Sequence, residues 1–99
     1  MATVTLTSKH QKITVSGTSI NTLNFDAVLK SRYGLAFITM ISGTAVNFTS
    51  DGQTVTTSSL LLAASGNNTK EIFEIELGTE LQYLGGAGSE VFNINITER

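Results

Sequence analysis

Residues 34–48, GLAFITMISGTAVNF, constrain this chain more than any other stretch. In an extended strand successive side chains point to opposite faces. Leu35, Phe37, Thr39 and Ile41 therefore share one face, and Ala36, Ile38 and Met40 the other. Apolar residues on both faces predict a strand covered on both sides, central in its sheet rather than at an edge. Ser42-Gly43-Thr44 predicts a turn, and Val46 and Phe48 resume the alternation, so the stretch reads as a central hairpin. The flanking segments alternate more weakly and need this hairpin to pack against.

Residues 3–7 place Val4 and Leu6 on one face and Thr3, Thr5 and Thr7 on the other, the pattern of a half-buried strand. Residues 12–16 repeat it with Ile13 and Val15. The two segments either pair as a hairpin, or residues 1–8 form an N-terminal arm or edge strand that pairs with a neighbouring subunit. Residues 23–27 alternate again. Residues 26–32 read as strand in preference to a short helix, although Asp26 in a first turn and Lys30 and Arg32 in a last turn would suit a helix dipole.

Ser50-Asp51-Gly52-Gln53 is a turn signal, followed by a Thr-rich strand over residues 53–57. Leu60, Leu61 and Leu62 are expected to plug one end of the core, and Ser65-Gly66-Asn67-Asn68 to form a loop. Residues 71–77 turn Phe73, Ile75 and Leu77 inward and Glu74 and Glu76 outward. Residues 80–84 form a short strand with Leu81 and Tyr83 on one face, and residues 85–89 a hairpin loop. Residues 91–97 close the chain with Phe92, Ile94 and Ile96 on one side. The expected fold is all-β: a small antiparallel β-sandwich, jelly-roll-like or Ig-like, of about eight short strands in one domain over residues 1–99.

Composition narrows the classes. With 40% hydrophobic residues the chain is too apolar for disorder, and no apolar run approaches the length of a spanning helix, so no membrane partner is expected. Cysteine is absent, which excludes disulfides and thiolate metal sites. The N-terminal residues lack a basic segment followed by an apolar run, so no signal peptide is expected. Only 14% of residues are charged, which leaves much of the surface to Thr, Ser and Asn, a surface that repels itself weakly and favours assembly. Residues 1–50 carry four basic residues against one acid, and residues 51–99 two against seven. Either the fold mixes these charges, or copies meet basic edge to acidic edge. There is no proline to guard a sheet edge, so threonines, charges or a partner subunit must do so.

Candidate chemistry is thin. His10 lies between Lys9 and Lys12, in a predicted loop, with no nucleophile motif around any serine, and reads as a surface histidine. Glu71, Glu74, Glu76 and Glu80 lie along one strand and the turn after it, and read as a solvated face rather than opposed catalytic carboxylates. Asp51, Asn67 and Asn68 offer only fragments of a calcium loop. Gly85-Gly86-Ala87-Gly88-Ser89 lacks the lysine of a phosphate loop. Asn47, Asn67 and Asn95 begin sequons that read as chance matches. The acidic balance and scattered lysines argue against nucleic acid. Tyr33 and Tyr83 read as rim residues of the core. No catalytic residue, cofactor or metal is expected.

From Phe37 to Glu98 the order of features is distinctive. A strand leads into Ser42-Gly43-Thr44-Ala45-Val46-Asn47-Phe48, then an Asp-Gly turn and a Thr-rich strand. Leu62-Ala63-Ala64-Ser65-Gly66 precedes an acidic strand, and Leu81-Gln82-Tyr83-Leu84-Gly85-Gly86-Ala87-Gly88 leads into a last alternating strand. This order resembles small β-sandwich accessory proteins of tailed-bacteriophage virions, which decorate or cement capsids or form fibre and tail parts. In related sequences the loop before the acidic strand often reads Leu-Ala-x-Gly-Glu; here Asn67 follows Gly66 and Glu71 comes later.

The resemblance implies a non-enzymatic virion protein, first of all a capsid decoration protein, made in the host cytoplasm. Its partners would be the major capsid protein or other virion proteins. It would be a homo-oligomer, with a trimer as one option, and would bind through a sandwich edge or through the arm bearing Thr3, Thr5 and Thr7. The rival reading is a carbohydrate- or receptor-binding module. That module would gather residues 50–53, 67–69 and 85–89 at one end and use Tyr83.

Overall fold

The computed structural model describes residues 2–50, 52–66 and 68–99; Asp51 of the expected turn and Asn67 of the expected loop and sequon lie outside them. The described residues form nine strands and no helix: β1 (Ala2–Thr5), β2 (His10–Thr14), β3 (Ile20–Asn24), β4 (Tyr33–Ser42), β5 (Val46–Thr49), β6 (Leu60–Leu62), β7 (Lys70–Glu76), β8 (Leu81–Gly85) and β9 (Val91–Glu98). They build an all-β sandwich. One sheet has the order β1-β3-β8-β5-β6 and the other β2-β9-β4-β7. Every pair is antiparallel except β1 with β3, which is parallel.

The period-2 patterns supply the core. Ala36, Ile38 and Met40 of β4, Phe73 and Ile75 of β7, and Phe92, Ile94 and Ile96 of β9 turn inward from the four-stranded sheet. Leu23, Val46, Phe48, Leu62, Leu81 and Tyr83 meet them from the five-stranded sheet. Four rings interlock across the middle. Phe48 lies 5.6 Å from Phe73 and 5.3 Å from Phe92, centroid to centroid, and Tyr83 lies 5.4 Å from Phe92. The two contacts to Phe92 are edge-on, at 82° and 80°, the orientation that aromatic quadrupoles favour.

The connections differ from expectation, for one topological reason. All but the β5–β6 connection pass from one sheet to the other. The segment after β4 is therefore not a hairpin turn: β4 and β5 sit in opposite sheets, and a bulge between Met40 and Ser42 starts the crossing. The loop between β8 and β9 is likewise a bridge between sheets, not a hairpin. The first two segments do not pair either. β1 lies beside β3 and β2 beside β9. β1 is thus an edge strand within its own chain, and the next residue that faces inward, Leu6, is fully buried and donates its N–H to the Asn24 carbonyl at 2.9 Å.

Four local assignments also change. Residues 26–32 are neither strand nor helix: the N–H groups of Val28 and Leu29 both donate to the Phe25 carbonyl, closing one turn that buries Val28 and Leu29. Residues 53–57 carry no strand. They cross the outside of the five-stranded sheet, where Val55 is buried and its N–H donates to Gln82 Oε1 at 3.0 Å. The Asn47 amide holds the far side of this segment through the carbonyls of Thr57 and Ser59. Leu60–Leu62 form a strand rather than a plug, with Leu62 buried and Leu60 and Leu61 exposed. Leu77, expected inside, lies past the end of β7 and is exposed.

Because Phe48 joins both sheets through three rings, its truncation should leave a cavity that neither sheet closes. Phe48→Ala is expected to lower unfolding free energy by about 3–5 kcal/mol in a urea titration, whereas Leu61→Ala should stay within about 0.5 kcal/mol of the parent.

Candidate functional site

The outward face of the four-stranded sheet is the surface that solvation alone explains least. Strand parity places Leu35, Phe37 and Thr39 of β4 outward, with Ile72 and Glu74 of β7 and Asn93, Asn95 and Thr97 of β9 beside them. Register aligns these in rows across the strands. Phe37 lies between Ile72 and Asn95, Leu35 between Glu74 and Thr97, and Thr39 between Lys70 and Asn93. His10 and Lys12 of β2 extend the rows beyond Asn95 and Asn93. The bulge leaves Ile41 pointing to solvent, 46% exposed, and Ile72 is 53% exposed. β4 is therefore central, as its pattern predicts, but it is covered on one face only: Leu35 and Phe37 are half-buried by their neighbours and Ile41 is open.

The polar half of this face is internally bonded. His10 Nδ1 meets Asn95 Oδ1, and the His10 main-chain N–H donates to Ser8 Oγ at 3.2 Å; the histidine sits at the start of β2, not in a loop. Shallow hollows of about 450 Å³ and 330 Å³ border β7, the first beside Tyr33, Ser50, Glu74 and Glu76, the second between Phe37, Thr39, Lys70 and Ile72. The carboxylates of β7 do not converge. Glu74 lies 3.5 Å from Arg99, Glu76 3.3 Å from Arg32, and Glu71 accepts the N–H of Ile72 at 3.1 Å. Among the described residues no cluster of His, Asp and Glu has the makings of a metal site.

The other residues singled out from sequence are scattered. Thr3, Thr5 and Thr7 are exposed at the edge of the five-stranded sheet, away from the apolar rows. The Thr3 hydroxyl accepts from Thr22 Oγ1 at 3.0 Å, and the Thr7 N–H donates to Gln11 Oε1. Tyr83 is not a rim residue: it is 1% exposed, deep in the ring cluster, and burial pushes its phenol pKa up. Tyr33 is the exposed tyrosine, with Arg32 stacked 5.3 Å from its ring centre. The loops of the rival reading also separate. Gly86 donates to Ala45 at the start of β5, and Met40 to Thr69 at that same pole, while residues 50–53 follow the far end of β5. Part of the charge asymmetry is met inside the chain: Lys9 and Arg32 of the basic half pair with Glu98 and Glu76 of the acidic half.

No family model and no curated protein matches the chain. Among solved structures it is similar to the pre-peptidase C-terminal domain of collagenase from Bacillus anthracis, at 16% identity and a TM-score of 0.44, over 98% of this chain and 95% of that one.

Two glutamates outside the candidate surface carry the perturbed carboxyl groups. Glu90 is 1% exposed, and its carboxylate accepts the N–H groups of Ala87 (2.8 Å), Gly88 (2.9 Å) and Ser89 (3.1 Å). Burial pushes this carboxyl up, but the main-chain donors outweigh burial and hold it below its ordinary value. Gly43 and Gly85 make room for it. A Cβ on Gly85 would meet Glu90 Oε1 at 2.7 Å and Val15 at 2.6 Å, and one on Gly43, where φ is +107°, would overlap the Glu90 side chain. The glycine-rich loop is thus a nest for the chain's own carboxylate. Sequence reasoning passed over Glu90 because it follows a loop that looked like an ordinary turn; the available signal was an acid directly after Gly-Gly-Ala-Gly-Ser. Glu98 is tied at the other pole. A hydrogen bond from Lys9 at 2.9 Å lowers its pKa against a smaller push from burial, and the N–H groups of Ser31 and Lys30 add to the lowering.

A folded-state pKa below the unfolded one means that Glu90 stabilises fully above about pH 4.3, and that its contribution fades as the pH falls from there through the folded value. Glu90→Gln would turn an amide N–H₂ toward main-chain donors. The variant is expected to lose about 1–3 kcal/mol at pH 7, with the gap to the parent closing as urea titrations move below pH 4.

Proposed function

We propose that this chain is a non-enzymatic structural subunit of a bacteriophage virion, in the first instance a capsid decoration protein that binds coat subunits. The observation that carries the reading is the row of Leu35, Phe37, Ile41 and Ile72 on the open face of the four-stranded sheet. Leu35, Phe37 and Ile72 adjoin across β4 and β7, with Ile41 beyond Thr39, and an apolar patch of this kind is normal on a subunit made to be covered. The rest of the domain supports the reading by contrast. No buried side-chain N or O atom lacks a partner among the described residues, so the interior of the fold is internally satisfied. The resemblance to phage accessory proteins supplies the partner. On a symmetric particle many copies of a modest contact add up, so one lane of this size suffices.

The test is the copy number of the chain, relative to the major coat protein, in purified particles from its source. A fixed ratio to coat subunits is expected; a few copies per particle would move the protein to a fibre or tail part, and absence from particles would overturn the reading. Ile41→Glu is expected to weaken rebinding to stripped particles about tenfold while its unfolding free energy stays within about 0.5 kcal/mol of the parent.

A further inference from the structure

The sandwich has four edge strands, and they are not equally protected. β1 and β6 span four and three residues, β2 five and β7 seven. A long edge presents a row of unused main-chain donors and acceptors, a template for another strand. The hydrogen bonds to β4 show which groups β7 leaves open. Met40 donates to the Thr69 carbonyl and Leu77 to the Arg32 carbonyl, both at 2.8 Å. In an antiparallel pair the groups alternate sides, so odd-numbered residues of β7 face β4, and Lys70, Ile72 and Glu74 face the open edge.

We infer that β7 pairs with β7 of a second copy, antiparallel about a two-fold axis at Ile72. This register sets Ile72 against Ile72 and Lys70 against Glu74 of the second copy, twice, all on the outward face. Each opposed pair is one that sheets favour. The apolar row through Phe37 and Ile72 would then run unbroken across the seam of an eight-stranded sheet. A register centred on Phe73 would instead need Glu76 against Lys70, but the Glu76 carbonyl already accepts the Thr79 N–H at 3.0 Å. The competing edge of this sheet, β2, fails the same examination: pairing it with itself about its centre opposes Lys12 to Lys12.

One side chain governs access. Glu71 Oε1 accepts the outward N–H of Ile72. That carboxylate occupies the donor that Ile72 of the second copy would use, so it guards the edge and must swing away on pairing.

The inference does not rest on the virion reading, because it concerns the isolated full chain. Sedimentation equilibrium of the purified protein over a wide concentration range should give a monomer–dimer equilibrium with no larger species. Lys70→Glu, at an exposed position, should weaken dimerisation about tenfold, and Lys70→Glu with Glu74→Lys should restore it. Glu71→Ala should strengthen it by removing the guard. Circular dichroism checks that each variant is folded. A monomer at every concentration, a trimer or open-ended polymer, or a dimer indifferent to Lys70→Glu would each overturn the inference.

Discussion

A buried carboxylate sets the geometry of one pole of this sandwich. Glu90 lies where the chain leaves the five-stranded sheet for the four-stranded one, and its oxygens gather three consecutive main-chain N–H groups. Its own carbonyl accepts the Val15 N–H at 2.7 Å, which seats the end of β2 beside the start of β9. Gly43 belongs to the crossing from β4 to β5, while Gly85 ends β8 in Glu90's own crossing, so this side chain registers two loops against each other. An unpaired buried charge would be costly; a charge whose donors are fixed amides is held without a mobile partner.

Strand β9 extends this logic along the molecule. It is flanked by β2 and β4, and it carries Phe92, Ile94 and Ile96 into the core. Glu90 precedes it and Glu98 ends it, and Glu98 collects Lys9 with the amides of Lys30 and Ser31. The strand thus carries a carboxylate at each pole that ties down a crossing loop. Both are needed because nearly every connection crosses between sheets, and a crossing loop forms no ladder of its own.

Much of the fold was legible in the residues, and its failures have a common source. Alternation in residues 91–97, 71–75 and 81–83 correctly separates inward from outward side chains because it reports burial, which is what period 2 measures. Connectivity is another matter. Ser42-Gly43-Thr44 and the run from Gly85 to Ser89 supply turn chemistry that serves a hairpin and a corner equally, and only the partner sheet tells them apart. Residues 53–57 have the threonine-rich composition of a strand yet bond to the Gln82 and Asn47 side chains instead of to a neighbouring strand, which no local pattern encodes. The outward lane of β4 departs in the opposite sense: Leu35, Phe37 and Ile41 predict a second covering layer, and the described residues provide none.

A strand whose two faces are both apolar normally has a layer on each, since exposed Leu, Phe and Ile lose the stabilisation of burial without gaining solubility. Here the core-facing side is covered by the opposite sheet through Ala36, Ile38 and Met40, while outward Leu35 and Phe37 are only half-buried by their neighbours and Ile41 is 46% exposed. On β7, Phe73 and Ile75 face inward and Ile72, 53% exposed, lies beside Phe37. Apolar surface on two adjacent strands, bordered by Asn93, Asn95 and Thr97 on one side and by Lys70 and Glu74 on the other, suits the proposed docking of a partner: an apolar centre that gains from contact and a polar rim.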